Sequence, residues 1–165
     1  ALTDAERARV ERLNHFTSEG NGYFQIQATR PQTIGYALAD SPLAQLAWMA
    51  DIFKEWSYPP EAPPEAAIDR DDLLTNVTLY WLTNTGASSA HIYYEEMHSG
   101  VWHEAPATTP TGVAVFARDI AISRYAEQGH NIVHWSEFER GGHFAAMEAP
   151  DLLVGDVRAF FRPLR

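Results

Sequence analysis

Apolar positions in the first hundred residues recur at steps of three and four, whereas two later runs are continuous and rich in β-branched residues. A chain that begins as helices and ends as a parallel sheet is therefore expected. From Thr3 to about Phe16, Thr3 can cap a helix with Glu6 three residues later, and Val10, Leu13 and Phe16 share one face. Glu19-Gly20-Asn21-Gly22 is a turn signal, Tyr23 to Arg30 is closed by Pro31, and Gln32 to Leu38 suits a short helix with Pro31 in its first turn. Ser41 to Trp56 is an amphipathic helix with a serine cap, its apolar face running through Leu43, Leu46, Ala47, Ala50, Phe53 and Trp56. Four prolines between Tyr58 and Ala66 demand an exposed loop. Asp69 can cap a further helix burying Leu73, Val77, Tyr80 and Trp81, and another runs from Gly86 and Ser88-Ser89 through Tyr93 and Met97.

Beyond a loop from Ser99 to Pro110 the pattern changes. Gly112 to Phe116 and Asn131 to Trp135 are short apolar runs with a helical pattern between them, which makes a βαβ unit. Asp151 to Leu164 is a closing helix with Leu153, Val157, Phe160, Phe161 and Leu164 on one face. Two parallel strands and a flanking helix do not bury both faces of a sheet, and no other stretch offers strands of this kind. The sheet is expected to be incomplete.

The length of 165 residues fits one domain, and 45% hydrophobic with 21% charged residues is ordinary for a soluble protein. A formal charge of -10 disfavours nucleic acid and anionic lipid as partners. The absence of cysteine excludes disulfides and thiolate chemistry. No apolar run is long enough to span a membrane and the N-terminus is polar rather than a signal peptide, so a cytoplasmic protein is expected. Ala1, not methionine, opens the sequence, as in a piece of something longer.

The candidate chemistry gathers around Glu139-Arg140-Gly141-Gly142-His143-Phe144. Two glycines put His143 on a tight bend between a strand and a helix, and ligand sites in parallel sheets lie beyond the carboxyl ends of the strands. Asp119 stands just past the end of the other strand, where it could also simply cap a helix. Glu148 and Glu95 are the next acids to consider, although Glu148 suits the dipole of the closing helix better. His130 and His134 have a metal-ligand spacing only on a helix, and here they fall on a strand. Glu95, Glu96, His98 and His103 gather acceptors without a recognisable ligand pattern, so no metal and no cofactor is expected.

Four separated blocks, Ser18 to Pro42, Asp71 to Trp81, Pro110 to Phe116 and Arg140 to Pro150, resemble in order the C-terminal half of α/β-hydrolase-fold epoxide hydrolases of the microsomal and bacterial type. The resemblance implies an α/β fold in which residues 1–105 form a helical lid and 106–165 supply the last two parallel strands and terminal helix of the core. It implies that a carboxylate opens an epoxide to an ester, which water activated by His143 and Asp119 then hydrolyses to a diol. Tyr23 and Tyr93 match the two lid tyrosines that hold the epoxide oxygen, with Tyr94 adjacent to the second. The apolar pocket is expected to involve Phe24, Trp48, Trp81 and Ile92.

The sequence departs from the family in having no aspartate or serine on a glycine-flanked nucleophile turn. The nucleophile and oxyanion loop belong to an N-terminal half, expected in the same longer enzyme in preference to a second polypeptide, and the 165 residues alone are expected to be inactive. The implied partners are a small apolar epoxide, that missing half, and in principle a second copy. Ester or haloalkane hydrolysis, or a non-catalytic binding subunit, are the alternatives.

Overall fold

The computed structural model describes residues 1–100 and 106–164. Side-chain caps open three of the described helices. In α1 (Asp4–His15) the Thr3 N–H donates to Glu6 at 2.7 Å and the Glu6 N–H returns the bond to Thr3 Oγ1 at 3.2 Å. A turn of π-helix, Phe16–Gly20, then leads to α2 (Gly22–Thr29). Pro31 begins α3 (Pro31–Asp40), where its missing N–H costs nothing, and Ser41 Oγ accepts from the Ala44 N–H at 3.2 Å at the head of α4 (Pro42–Trp56). Asp69 caps α5 (Arg70–Thr83) by accepting from Asp71 N–H at 2.8 Å, and α6 (Gly86–His98) follows.

The strands are longer than their apolar runs. β1 (Ala107–Val115) starts before Pro110, a residue that reads as a strand break, because register irregularities flank the proline and absorb its missing donor. It pairs in parallel with β2 (His130–Glu137), and α7 (Ser123–Ala126) lies on the crossover. After β2 come the single turn α8 (Ala145–Glu148) and α9 (Pro150–Phe161).

Chain contacts divide the protein into two units. One comprises Ala1–Asn14, Trp56–Ala67 and the described part of His103–Arg165; the other comprises His15–Glu55 and the described part of Ile68–Trp102. In this division α1 and the proline loop group with the strands. In the helical unit α3 meets α6 where Gly35 faces Ala87, and Leu38, Phe53, Leu73, Val77 and Ala90 are buried. In the strand-bearing unit Val115, Phe116, Ile122 and Ala149 are buried, and Phe116 lies just past β1 rather than in it.

Two expected apolar faces are more open than their periodicity suggests. Leu13 of α1 is exposed, and the buried member of that helix is Arg9, whose guanidinium reaches Glu137 at 2.7 and 3.2 Å. A charge can be buried there because a paired carboxylate replaces its hydration. On α9, Val157 and Phe161 are 44% and 51% exposed, and Val133 on β2 is 57% exposed, because a two-stranded sheet covers little. The Leu164 side chain lies outside the described residues. No described helix is long and apolar enough to cross a membrane.

Candidate active site

The turns after the two strands build one cluster. Asp119 follows β1 in a tight turn: its N–H donates to the Phe116 carbonyl at 2.9 Å, and its Oδ1 accepts from the N–H groups of Ile120 at 2.6 Å and Ala121 at 2.9 Å. Both of those donors use Oδ1, which fixes the carboxylate without drawing on Oδ2. Arg12 of α1 donates to the Asp119 carbonyl at 2.9 and 3.3 Å and holds the turn from outside. The two turns are joined where the Arg118 N–H meets the Gly141 carbonyl at 3.4 Å.

The glycine pair before His143 has a separate reason at each position. Gly141 has φ +86°, a conformation other residues adopt at a cost, and a Cβ there would stand 2.8 Å from the Phe116 ring. At Gly142 a Cβ would meet the Trp56 carbonyl oxygen at 2.4 Å. That carbonyl accepts the His143 N–H at 3.1 Å, so the loop approaches the 56–58 backbone more closely than a side chain permits.

The His143 ring lies between two aromatic groups, Trp56 at 4.4 Å and Phe144 at 5.2 Å between ring centroids, both near edge-on. His143 is still exposed on one side. The crowding costs the charged imidazole hydration and draws its pKa below the ordinary value of 6.5, while Asp119 and then Glu148 pull in the opposite direction. A ring whose pKa is drawn below the ordinary value, and on which a nearby carboxylate acts through its charge, can accept a proton from water and be stabilised once it has done so.

The two tyrosines meet in the helical unit. Tyr23 on α2 and Tyr93 on α6 have ring centroids 6.0 Å apart at 88°, and Phe24 packs edge-on against Tyr93 at 5.7 Å. Burial and the neighbouring Tyr93 push the Tyr23 phenol up to about 12; burial, Tyr80 and Glu96 raise Tyr93. Both phenols stay protonated at neutral pH, as hydrogen-bond donors to developing negative charge must. Tyr94 faces elsewhere and stacks on His98 at 4.1 Å. Ile92, expected to line the pocket, is exposed. The tyrosine pair and the His143–Asp119 cluster belong to different units.

Other candidates take structural parts. Glu148 does not serve the start of α9: Oε1 accepts the Phe144 N–H at 3.0 Å and Oε2 the Tyr58 N–H at 2.8 Å. A serine, histidine and aspartate also meet where β2 faces α9. His134 Nε2 and Ser136 Oγ both donate to Asp156 Oδ1, at 2.7 and 2.6 Å, and lie 3.2 Å apart. One ring nitrogen thus meets both partners, whereas a serine nucleophile relay needs serine and carboxylate on opposite nitrogens. His98 Nδ1 contacts the Tyr94 carbonyl at 2.8 Å, and His103 lies outside the described residues. Among the described residues no group of three potential ligands could hold a metal ion.

Over 99% of its length the chain is 44% identical to a Stigmatella aurantiaca protein named "Putative epoxide hydrolase", and over 85% it is 36% identical to epoxide hydrolase 1 of Sus scrofa. The structure of Aspergillus niger epoxide hydrolase matches 99% of the chain with a TM-score of 0.80 and 31% identity. The chain belongs to the α/β-hydrolase-fold epoxide hydrolases. The crystal structure of juvenile hormone epoxide hydrolase from Bombyx mori likewise matches 99% of it, with a TM-score of 0.86 and 28% identity. No family model matches. The chain spans 38% of the Stigmatella aurantiaca relative, 34% of the Sus scrofa one and 41% of the Aspergillus niger chain. What it holds of the family is thus part of an α/β-hydrolase fold, helical with a small parallel sheet.

Trp56, Arg12 and the clasp made by Glu148 escape sequence reasoning. Each acts on a residue far along the chain through a backbone atom, and no spacing pattern records such a contact.

Proposed function

We propose that this chain is the lid and C-terminal core portion of an enzyme that hydrolyses epoxides through a covalent ester, with the nucleophilic carboxylate supplied from outside these 165 residues. Residues 1–105 serve as the lid and 106–165 as the core portion. The observation that carries the reading is the pairing of Tyr23 with Tyr93, two protonated phenols whose rings meet at 6.0 Å, in a chain of this family. Ester hydrolysis has no need of such a pair.

In the first step the carboxylate oxygen attacks an epoxide carbon, the carbon–oxygen bond of the ring breaks, and Tyr23 and Tyr93 stabilise the oxygen as it gains charge. In the second, His143 removes a proton from water, and the oxygen adds to the ester carbonyl. Asp119 stabilises the imidazolium. Collapse of the adduct expels the ester's alkoxy oxygen, which takes the proton back from His143. The second water proton, released as the carboxyl group returns to carboxylate, neutralises the ring oxygen freed in the first step, so that both hydroxyls of the diol are accounted for.

Replacing His143 with Gln in the complete enzyme tests the scheme by stopping it at the ester. Mass spectrometry should then find the whole mass of one epoxide added to a carboxylate outside residues 1–165, while turnover falls by about 10²- to 10⁴-fold. An adduct on a carboxylate within these residues, or diol formed by the 165-residue chain alone, overturns the external nucleophile.

A further inference from the structure

Glu148 occupies the last position of α8, where a carboxylate opposes the partial negative charge of the helix end. Both of its oxygens nonetheless have partners, and both partners are backbone N–H groups. Oε1 accepts from Phe144, the residue after His143, and Oε2 from Tyr58, 90 residues earlier in the chain. Between these bonds the His143 N–H donates to the carbonyl of Trp56, whose indole flanks the imidazole. Three hydrogen bonds therefore stitch His143-Phe144 to Trp56-Ser57-Tyr58, and one carboxylate makes two of them. A Cβ on Gly142 would meet Glu148 Oε1 at 2.9 Å and Oε2 at 3.0 Å, so the carboxylate lies directly against the backbone that precedes His143.

We propose that Glu148 is a positioning residue for the histidine, clamping the His143 loop through the Phe144 and Tyr58 amides and presenting a second anion to the imidazole. This rests on the catalytic reading of His143. Bonds from a carboxylate to N–H groups are charge-assisted, about twice as strong as neutral ones, and suited to holding a loop in one position. The charged groups acting on the imidazole are Asp119, from the turn after β1, and Glu148, from α8; Asp119 acts the more strongly. Asp119 is therefore the acid that answers protonation of the ring, and Glu148 fixes where the ring is.

The test follows the imidazole of His143 by NMR titration in the complete enzyme, alongside the rate of ester hydrolysis in single turnovers. In Glu148→Gln the titration midpoint should fall further below that of the wild type, because an anion that favours the imidazolium is gone. The acid limb of ester hydrolysis should move to lower pH with it, and the rate should drop on the order of 10- to 100-fold from misplacement of the ring. Glu148→Asp keeps the charge but is one methylene short of spanning both amides, so it should hold its midpoint near the wild type while losing rate. A folded Glu148→Gln protein with unchanged midpoint and rate overturns the proposal. Should that variant not fold, a wild-type rate in Glu148→Asp does the same. If the wild-type enzyme opens no epoxide, the functional reading falls, and the midpoint in Glu148→Gln still decides whether Glu148 acts on the ring.

Discussion

The His143 loop and the Tyr23–Tyr93 pair are held by opposite means. Around His143 the main chain does the holding: two glycines admit a close backbone approach, and the amides of His143 and Phe144 go to a carbonyl and a carboxylate. Around the tyrosines side-chain rings do it, with Phe16 against Tyr23, Tyr23 against Tyr93 and Phe24 against Tyr93. Hydrogen-bonded backbone fixes a group in position and direction, whereas edge-on ring packing fixes a plane and tolerates loss of the group at its rim. Changes near His143 should therefore disturb geometry and chemistry together, while the tyrosine hydroxyls can be deleted with the packing kept.

The largest expected effect exploits that separability. Tyr23→Phe or Tyr93→Phe should slow ring opening by about 10²- to 10³-fold, the usual consequence of removing one donor to a developing oxyanion. Ester hydrolysis, which the proposed scheme assigns to His143 and Asp119, should keep its rate. Stopped-flow measurement of the two half-reactions in single turnovers separates them. Equal losses in both steps would mean that the pair supports the architecture and not the leaving oxygen.

What the sequence revealed follows the same division between local and distant. The Thr3–Glu6 box, the Asp69 and Ser41 caps and Pro31 at a helix start all join residues within three positions, and each was readable from the pattern. The strand runs were recognisable, although their ends were not, because pairing with a distant strand decided where β1 began. Arg9 was invisible as a buried residue since its partner Glu137 lies 128 positions away. Among the candidate site residues, His143 stood out through its glycine pair and Asp119 through its place past a strand end, whereas Tyr23 and Tyr93 stood out only through family resemblance. Glu148 was misread because its proximity to α9 is local, while its hydrogen bond to Tyr58 spans 90 positions.

A smaller effect tests how rigidly the helices carry the tyrosines. Gly86, at the head of α6, is buried, and a Cβ there would stand 2.3 Å from Gln45 Oε1 and 3.0 Å from Leu38 Cβ. Gln45 Oε1 ends a flexible side chain and has no hydrogen bond to lose, but Gln45 is only 2% exposed and Leu38 Cβ stands beside it, so that end has little room to move. Gly86→Ala should force α6 away from α3 and α4 and cost about 1–3 kcal/mol, read from urea unfolding. Because α6 carries Tyr93, ring opening should also slow, though by less than in Tyr93→Phe. A variant as stable as the wild type would mean that this helical packing yields readily.

The smallest effect separates the regions by pH. The His143 pKa is lowered in the fold, mainly by burial, so the unfolded chain binds the proton more readily. Its contribution to stability is complete above the ordinary value of 6.5 and is lost as pH falls through the folded value. Tyr23 has the reverse sign. With its folded pKa raised from 10 to about 12, its contribution is complete below pH 10 and is lost as pH rises through about 12. Urea unfolding of His143→Gln should lose only the histidine component of the acid-side loss, with that of Glu137 remaining at lower pH, and Tyr23→Phe should lose only the Tyr23 component of the alkaline loss, with that of Tyr93 remaining. The histidine component should be modest, since part of the ring remains in water. If both variants lost the same limb, the two pKa shifts would not belong to separately held groups, and the contrast between a backbone-held imidazole and ring-held phenols would fail.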